Sequence, residues 1–161
     1  MTALWDLAAR GELTVGDLPD DVPGVRLELV DGSLTVTPRG DYEHQLIITE
    51  LVARLVTASL PPELAVLAGV NVIRGTSTVL IPDLAVVDPS HLAMDGLGVS
   101  PEGVRLAVEV TSRSTRVRDL TTKRELYRQW NIPYLIVDRA TRPPALRVES
   151  DLPEWADVLL K

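Results

Sequence analysis

Three features of the sequence predict an α/β fold, a mixed sheet flanked by helices and preceded by an N-terminal β-hairpin. Residues 25–38 (VRLELVDGSLTVTP) alternate in polarity on either side of Asp31-Gly32, the signature of a two-residue hairpin turn. Residues 104–112 (VRLAVEVTS) and 134–138 (YLIVD) are short, β-branched and nearly all apolar, as strands covered on both faces are. Between them, residues 116–130 (RVRDLTTKRELYRQW) repeat at helical spacing, and the order strand, helix, strand is that of an α/β domain.

The remaining elements follow in order. Residues 1–24 carry Asp17, Pro19, Asp20, Asp21, Pro23 and Gly24 and read as a loose acidic lead-in with one short helix. After the hairpin, Leu46, Ile47, Glu50, Leu51, Arg54 and Leu55 recur at helical spacing, predicting a helix from Tyr42 to Ser59 with Pro61-Pro62 as its stop. Residues 64–74 and 78–88 read as strands joined at Gly75, residues 89–103 as a turn-rich, mobile connection, and residues 145–150 as an edge strand. The expected organisation is a lead-in over residues 1–24 and a single domain over residues 25–161.

Composition narrows the function. The 161 residues hold 16 basic and 23 acidic side chains, a net charge of −7, which argues against a polybasic nucleic-acid or membrane coat. Cysteine is absent, so disulfides, thiolate nucleophiles and cysteine-ligated zinc are excluded, and two histidines cannot alone build a three-histidine site. No apolar run approaches the ~18 residues of a membrane span, and the N-terminus lacks the basic start and apolar stretch of a signal peptide. The expected compartment is the cytoplasm. Fourteen of the basic residues are arginine, leaving Lys123 as the one interior lysine.

Three residues carry chemistry. Asp83 interrupts the apolar run 80–87; alone it reads equally as a strand-start cap. Glu109 interrupts a strand otherwise apolar on both faces, where a carboxylate needs a cation or strong donor beside it, and an arginine would serve. Lys123 is the most telling. On a helical wheel Asp119, Leu120, Leu126, Tyr127 and Trp130 lie within about 60° of it, while Arg118, Arg124, Glu125 and Arg128 take the far side. Lys123 is therefore centred on the sheet-facing side, although a lysine with Asp119 four residues earlier also reads as a snorkelling ion pair. Together, two strand-borne carboxylates suit a hard divalent cation. A lysine aimed at the same place suits stabilisation of a transferring phosphoryl group. The combination describes phosphodiester hydrolysis.

These residues also carry a resemblance. Pro82-Asp83, Glu109-Val110-Thr111-Ser112, Asp119, Lys123, Tyr127 and Tyr134–Asp138, with Leu27–Gly32 and His44 upstream, resemble the Uma-type "putative restriction endonuclease" family of the PD-(D/E)xK nuclease superfamily. The resemblance covers residues 25–138 and implies a restriction-endonuclease-like core and a Mg²⁺- or Mn²⁺-dependent endonuclease. It implies catalytic Asp83, Glu109 and Lys123, and a metal on Asp83, Glu109 and the carbonyl of Val110. The superfamily's lysine two residues after the glutamate is Thr111 here; in this family it stands on the next helix, where Lys123 is. Glu28 and His44 are secondary candidates, each also readable as a surface or capping residue. Tyr127 and Trp130 read as core, and Ser112 as a cap.

DNA as the partner asks how an acidic chain meets a polyanion. Residues 105–128 hold seven basic and three acidic side chains, a local charge of +4, and Arg113, Arg116 and Arg118 fall where they would meet a phosphate backbone. Two alternatives stand beside the nuclease: a catalytically inactive nuclease-fold module that binds DNA or protein, and an interaction module whose buried charges are only a structural cluster. A homodimer would suit two-strand cutting.

Overall fold

The computed structural model describes residues 2–19, 22–93, 96–112 and 115–161. Helix α1 (Thr2–Arg10) leads to the hairpin β1 (Val25–Val30) and β2 (Ser33–Pro38), paired in register from Val25–Pro38 to Val30–Ser33. Its turn places both Asp31 (φ 48°) and Gly32 (φ 79°) in the left-handed region that Asp-Gly accepts at least cost. The lead-in docks onto this hairpin: the Leu13 N–H donates to the Gly32 carbonyl at 3.3 Å, and the Leu13 side chain is fully buried with Leu29 and Val79.

Helix α2 (Tyr42–Thr57) starts at Asp41, whose carboxylate accepts the His44 N–H at 2.9 Å, and stops two residues before the expected Ser59. Its Ile48, Leu51 and Leu55 bury against Leu84, Val86, Leu106, Val108 and Leu135 on one face of the central sheet. That sheet runs β3 (Ala65–Ala68), β6 (Leu84–Val87), β7 (Val104–Val110), β8 (Tyr134–Asp138), β9 (Ala145–Val148). Only β7 and β8 pair in parallel, joined across the other face by helix α3 (residues 116–129), so the sheet is mixed as expected. β9 is its edge strand. The 3₁₀ helix Glu154–Leu160 closes the α2 face with Ala156 and Leu159.

The strands expected over 64–74 and 78–88 are each broken in two. β4 (Val72–Arg74) and β5 (Thr78–Leu80) leave the central sheet and join the hairpin in a second sheet ordered β2-β1-β5-β4. The breaks fall at Gly69, with φ 66°, and at Pro82, which has no N–H for a ladder. Asp83 follows that proline, so the break places it at the seam between the two sheets.

The connection at 89–103 is turn-rich as expected, and its described residues are hydrogen-bonded. It forms 3₁₀ turns at Pro89–His91 and Pro101–Gly103, and the Val99 carbonyl accepts the Ile73 N–H at 2.9 Å. Helix α3 is not a regular α-helix: Asp119–Lys123 forms a π turn between Arg116–Arg118 and Arg124–Gln129. One extra residue in a turn rotates everything before it by about 100°. Arg118, on the far side of a regular wheel, therefore comes round to the side of Lys123.

Candidate active site

Four elements and the seam between the sheets bring their charged residues to one buried place. β1 supplies Arg26 and Glu28, α2 supplies His44, the seam supplies Asp83, β7 supplies Glu109 and Val110, and α3 supplies Lys123. Arg26, Glu28, His44, Asp83, Glu109 and Lys123 line a cavity of about 30 Å³, roughly the room of one water or one small cation. Lys123, Asp83 and Glu109 are each only 3% exposed. The sheet-facing direction expected of Lys123 is the one observed.

The cluster has two halves. In the first, Lys123 Nζ lies 2.6 Å from Glu109 Oε1, 3.0 Å from Glu28 Oε1 and 3.9 Å from Asp119 Oδ1. Glu28 also accepts the Ile81 N–H at 2.6 Å and a hydrogen bond from Arg118. In the second, Asp83 Oδ2 accepts the Val110 N–H at 2.8 Å and meets His44 Nε2 at 3.0 Å, while Oδ1 accepts from Arg26. Glu28 and His44, secondary candidates in the sequence, thus stand among the central residues.

Burial and charge set opposite protonation tendencies for these acids. Burial pushes the Glu109 carboxyl well above the usual range. Lys123 opposes that push, and the charges of Asp83, Asp119 and Glu28 reinforce it. Burial works against ionised Asp83 too, but the hydrogen bond and charge of His44, then Arg26 and the Val110 N–H, outweigh it and hold the group well below its ordinary value. Lys123 is pulled down by burial and raised further by Glu109, Glu28 and Asp119, so it stays charged.

Among the described residues no three His, Asp or Glu side chains converge as a ready-made ligand set. The donor chemistry nevertheless fits a hard cation. Four buried carboxylates (Glu28, Asp83, Glu109, Asp119) face three cations (Arg26, Arg118, Lys123), and neither buried Asp119 oxygen has a hydrogen-bond partner among the described residues. Such a surplus of oxygen charge suits Mg²⁺, which keeps several waters and takes few protein ligands.

The basic residues expected on DNA are placed differently. Arg116 makes two bonds to buried Asp138, at 3.1 and 3.0 Å, and Arg118 is spent on Glu28; Arg113 lies outside the described residues. Ser112 accepts the Thr115 N–H at 3.2 Å, the capping contact expected of it. Tyr127 is core, fully buried, with its hydroxyl 3.5 Å from Glu109 Oε1. Sequence reasoning missed Arg26, although it sits two residues before Glu28 and so shares a strand face with it. It also missed Gly40. A Cβ there would lie 2.1 Å from His44 Nδ1, so Gly40 is what lets the imidazole reach Asp83. Gly40→Ala is expected to lower stability by about 1–3 kcal/mol in urea unfolding, and a His44→Ala background should relieve most of that cost.

Residues 14–149 match the profile of Uma2, a family described as "Putative restriction endonuclease". No curated protein matches the chain. A crystal structure from Anabaena variabilis ATCC 29413, described as a putative nuclease belonging to DUF820, superposes with a TM-score of 0.65 at 15% identity, covering 90% of this chain and 92% of that one. At that identity the likeness is one of fold.

Proposed function

The chain belongs to the Uma2 family, and on that premise we propose that it is a metal-dependent endonuclease hydrolysing phosphodiester bonds in DNA. The observation that carries the reading is the single cavity on which Asp83, Glu109 and Lys123 converge from a seam, a strand and a helix. Asp83 and Glu109, with the Val110 carbonyl, would hold Mg²⁺ or Mn²⁺. A bound divalent cation supplies Lewis-acid charge to the phosphoryl oxygens and acidifies a water.

The chain's own groups do the rest. His44, Arg26 and the Val110 N–H keep Asp83 ionised and fixed in direction. Lys123, anchored by Glu109 and Glu28, presents a permanent positive charge that stabilises charge developing on the phosphoryl group without reorganising. The +4 segment at 105–128 is the proposed backbone contact; Arg116 keeps 39% of its side chain exposed beside Asp138. Arg118 and Arg113 are proposed with it, and a homodimer in the cytoplasm completes the reading. No helix among the described residues is long and apolar enough to cross a membrane.

One observation favours the inactive-module reading instead: Asp83, Glu28 and Glu109 each already have a protein cation. Cleavage separates the two. Wild type with Mg²⁺ is expected to cut plasmid or single-stranded DNA, and the double variant Lys123→Ala, Glu109→Ala to lose at least about 10³ of that rate. No cleavage by wild type, or equal cleavage by the double variant, overturns the nuclease reading.

A further inference from the structure

Asp138, at the end of β8, is a fully buried carboxylate that two arginines share. Arg116 donates to it from Nε at 3.1 Å and from Nη2 at 3.0 Å, and Arg147 donates from Nε at 3.1 Å. The Ala140 N–H at 3.0 Å and the Thr111 hydroxyl at 3.4 Å also reach it. The Arg116 hydrogen bonds outweigh burial and hold the Asp138 carboxyl at about 2, so it stays ionised. One negative charge thus meets two positive ones. The surface pairs Arg54–Glu50, Arg105–Asp88 and Arg128–Glu125 are one to one, and Arg139 and Arg142 share two acids, Asp41 and Glu43.

The geometry sets the two arginines side by side. Nη2 of each lies 3.0 Å from the same atom, Asp138 Oδ2, so the two nitrogens are no further apart than twice that distance. Their side chains are 39% and 46% exposed, while Asp138 is not exposed at all. The carboxylate therefore grips both guanidinium groups from the protein side and leaves their outer edges to solvent. A guanidinium carries five N–H donors, of which Arg116 spends two on Asp138 and Arg147 one. Two preset forks with one positive charge in excess suit an anion with one charge and two acceptor oxygens. A phosphodiester is such an anion.

The pair also sits next to the candidate active site. Glu109 is in register with Ile136 on β8, and Ile136 with Arg147 on β9. Residues paired across neighbouring strands share a face, so Glu109 and Arg147 project from the same side of the sheet. Two strand spacings separate their backbones, about 10 Å. Arg116 opens α3, the helix that carries Lys123.

We propose that Arg116 and Arg147, held by Asp138, together bind one phosphodiester of the DNA backbone beside the site of cleavage. The proposal rests on the nuclease reading and extends it to Arg147, which lies outside the +4 segment. Removing either arginine leaves a neutral pair with Asp138, so each is needed for the excess charge.

Fluorescence anisotropy tests this with a short labelled DNA duplex and one of its strands, in EDTA, across a range of salt. Arg116→Gln and Arg147→Gln are each expected to weaken binding at least about fivefold and to flatten the salt dependence by about one phosphate contact. The double variant has no second contact to lose and should show the same slope as either single one. Arg147→Lys keeps a charge on Asp138 without the fork, and should bind at least about twofold more weakly than wild type with the slope unchanged. It serves as the test where Arg147→Gln fails to fold. Wild-type affinity and slope in Arg147→Gln, whatever its stability in urea, or wild-type affinity in Arg147→Lys, makes the arginines a structural clamp and overturns the site. A loss of two contacts in the double variant overturns the shared phosphate, and no DNA binding by wild type at low salt overturns both. Mn²⁺ binding and plasmid cleavage with DNA affinity unchanged in the variants leave the nuclease reading standing and sink this proposal. The expected affinity losses with no Mn²⁺ binding and no cleavage by wild type do the reverse.

Discussion

Lys123→Met is expected to destabilise the fold by about 3–5 kcal/mol and to abolish cleavage, because it removes one partner of a buried ion pair and leaves the other in place. Methionine matches the aliphatic stem, so packing beside Leu120, Leu126 and Tyr127 is kept and the loss is electrostatic. Glu28 retains Arg118 and the Ile81 N–H, whereas Glu109 loses the ammonium paired with it at 2.6 Å. The pH dependence gives the cause away. In wild type, Lys123 is raised above its ordinary 10.5, so its contribution is full below that pH and lost as pH rises through the higher native value. The variant should lack that alkaline loss. Glu109, already raised by burial and neighbouring carboxylates and now without its ammonium, binds a proton more readily folded than unfolded. Stability of the variant should therefore rise as pH falls towards 4.5, the unfolded value of a glutamate. Urea unfolding across pH 5–12 checks both signs, and a variant that tracks wild type at every pH would show that Lys123 is not the counter-charge of Glu109.

Asp83→Ala is expected to cost about 3 kcal/mol or more, since Arg26 and His44 lose their carboxylate and the Val110 N–H loses its acceptor in the interior. Partial exposure of Arg26 keeps the figure at the lower end. Asp83→Asn restores an oxygen acceptor for the Val110 N–H and should recover part of the stability, yet neither variant should bind Mn²⁺. That split separates the two roles of Asp83. Asp83 sits below its ordinary 3.8 when folded, so its contribution is present above that pH and lost as pH falls further. Both variants should flatten that acid limb. Mn²⁺ affinity equal to wild type in either one would remove Asp83 from the ligand set.

The sequence showed the hairpin turn, the buried strands β7 and β8 and the inward face of Lys123, because each follows from a local rule: Asp-Gly chemistry, apolar runs and helical phase. It did not show that residues 64–88 divide between two sheets. That division depends on Gly69 and Pro82 interrupting ladders that each segment could otherwise have continued, a matter of tertiary pairing. Arg118 was misplaced for another reason. A regular wheel cannot anticipate a π turn, and one inserted residue moves Arg118 from the far side onto Glu28. Arg26 and Gly40 reveal their parts only once β1 and α2 are brought against the seam, where one grips Asp83 and the other leaves room for His44. The charge argument changed as well. Arg116 and Arg118 are engaged with Asp138 and Glu28.

The most direct test of the central claim, that Asp83 and Glu109 jointly hold a divalent cation beside Lys123, is anomalous diffraction from crystals grown with Mn²⁺. A Mn²⁺ peak is expected in the cavity beside Asp83 and Glu109. A cavity without a peak at saturating Mn²⁺, with Asp83 still on Arg26 and Glu109 still on Lys123, would contradict it and leave a structural ion-pair cluster in a nuclease fold.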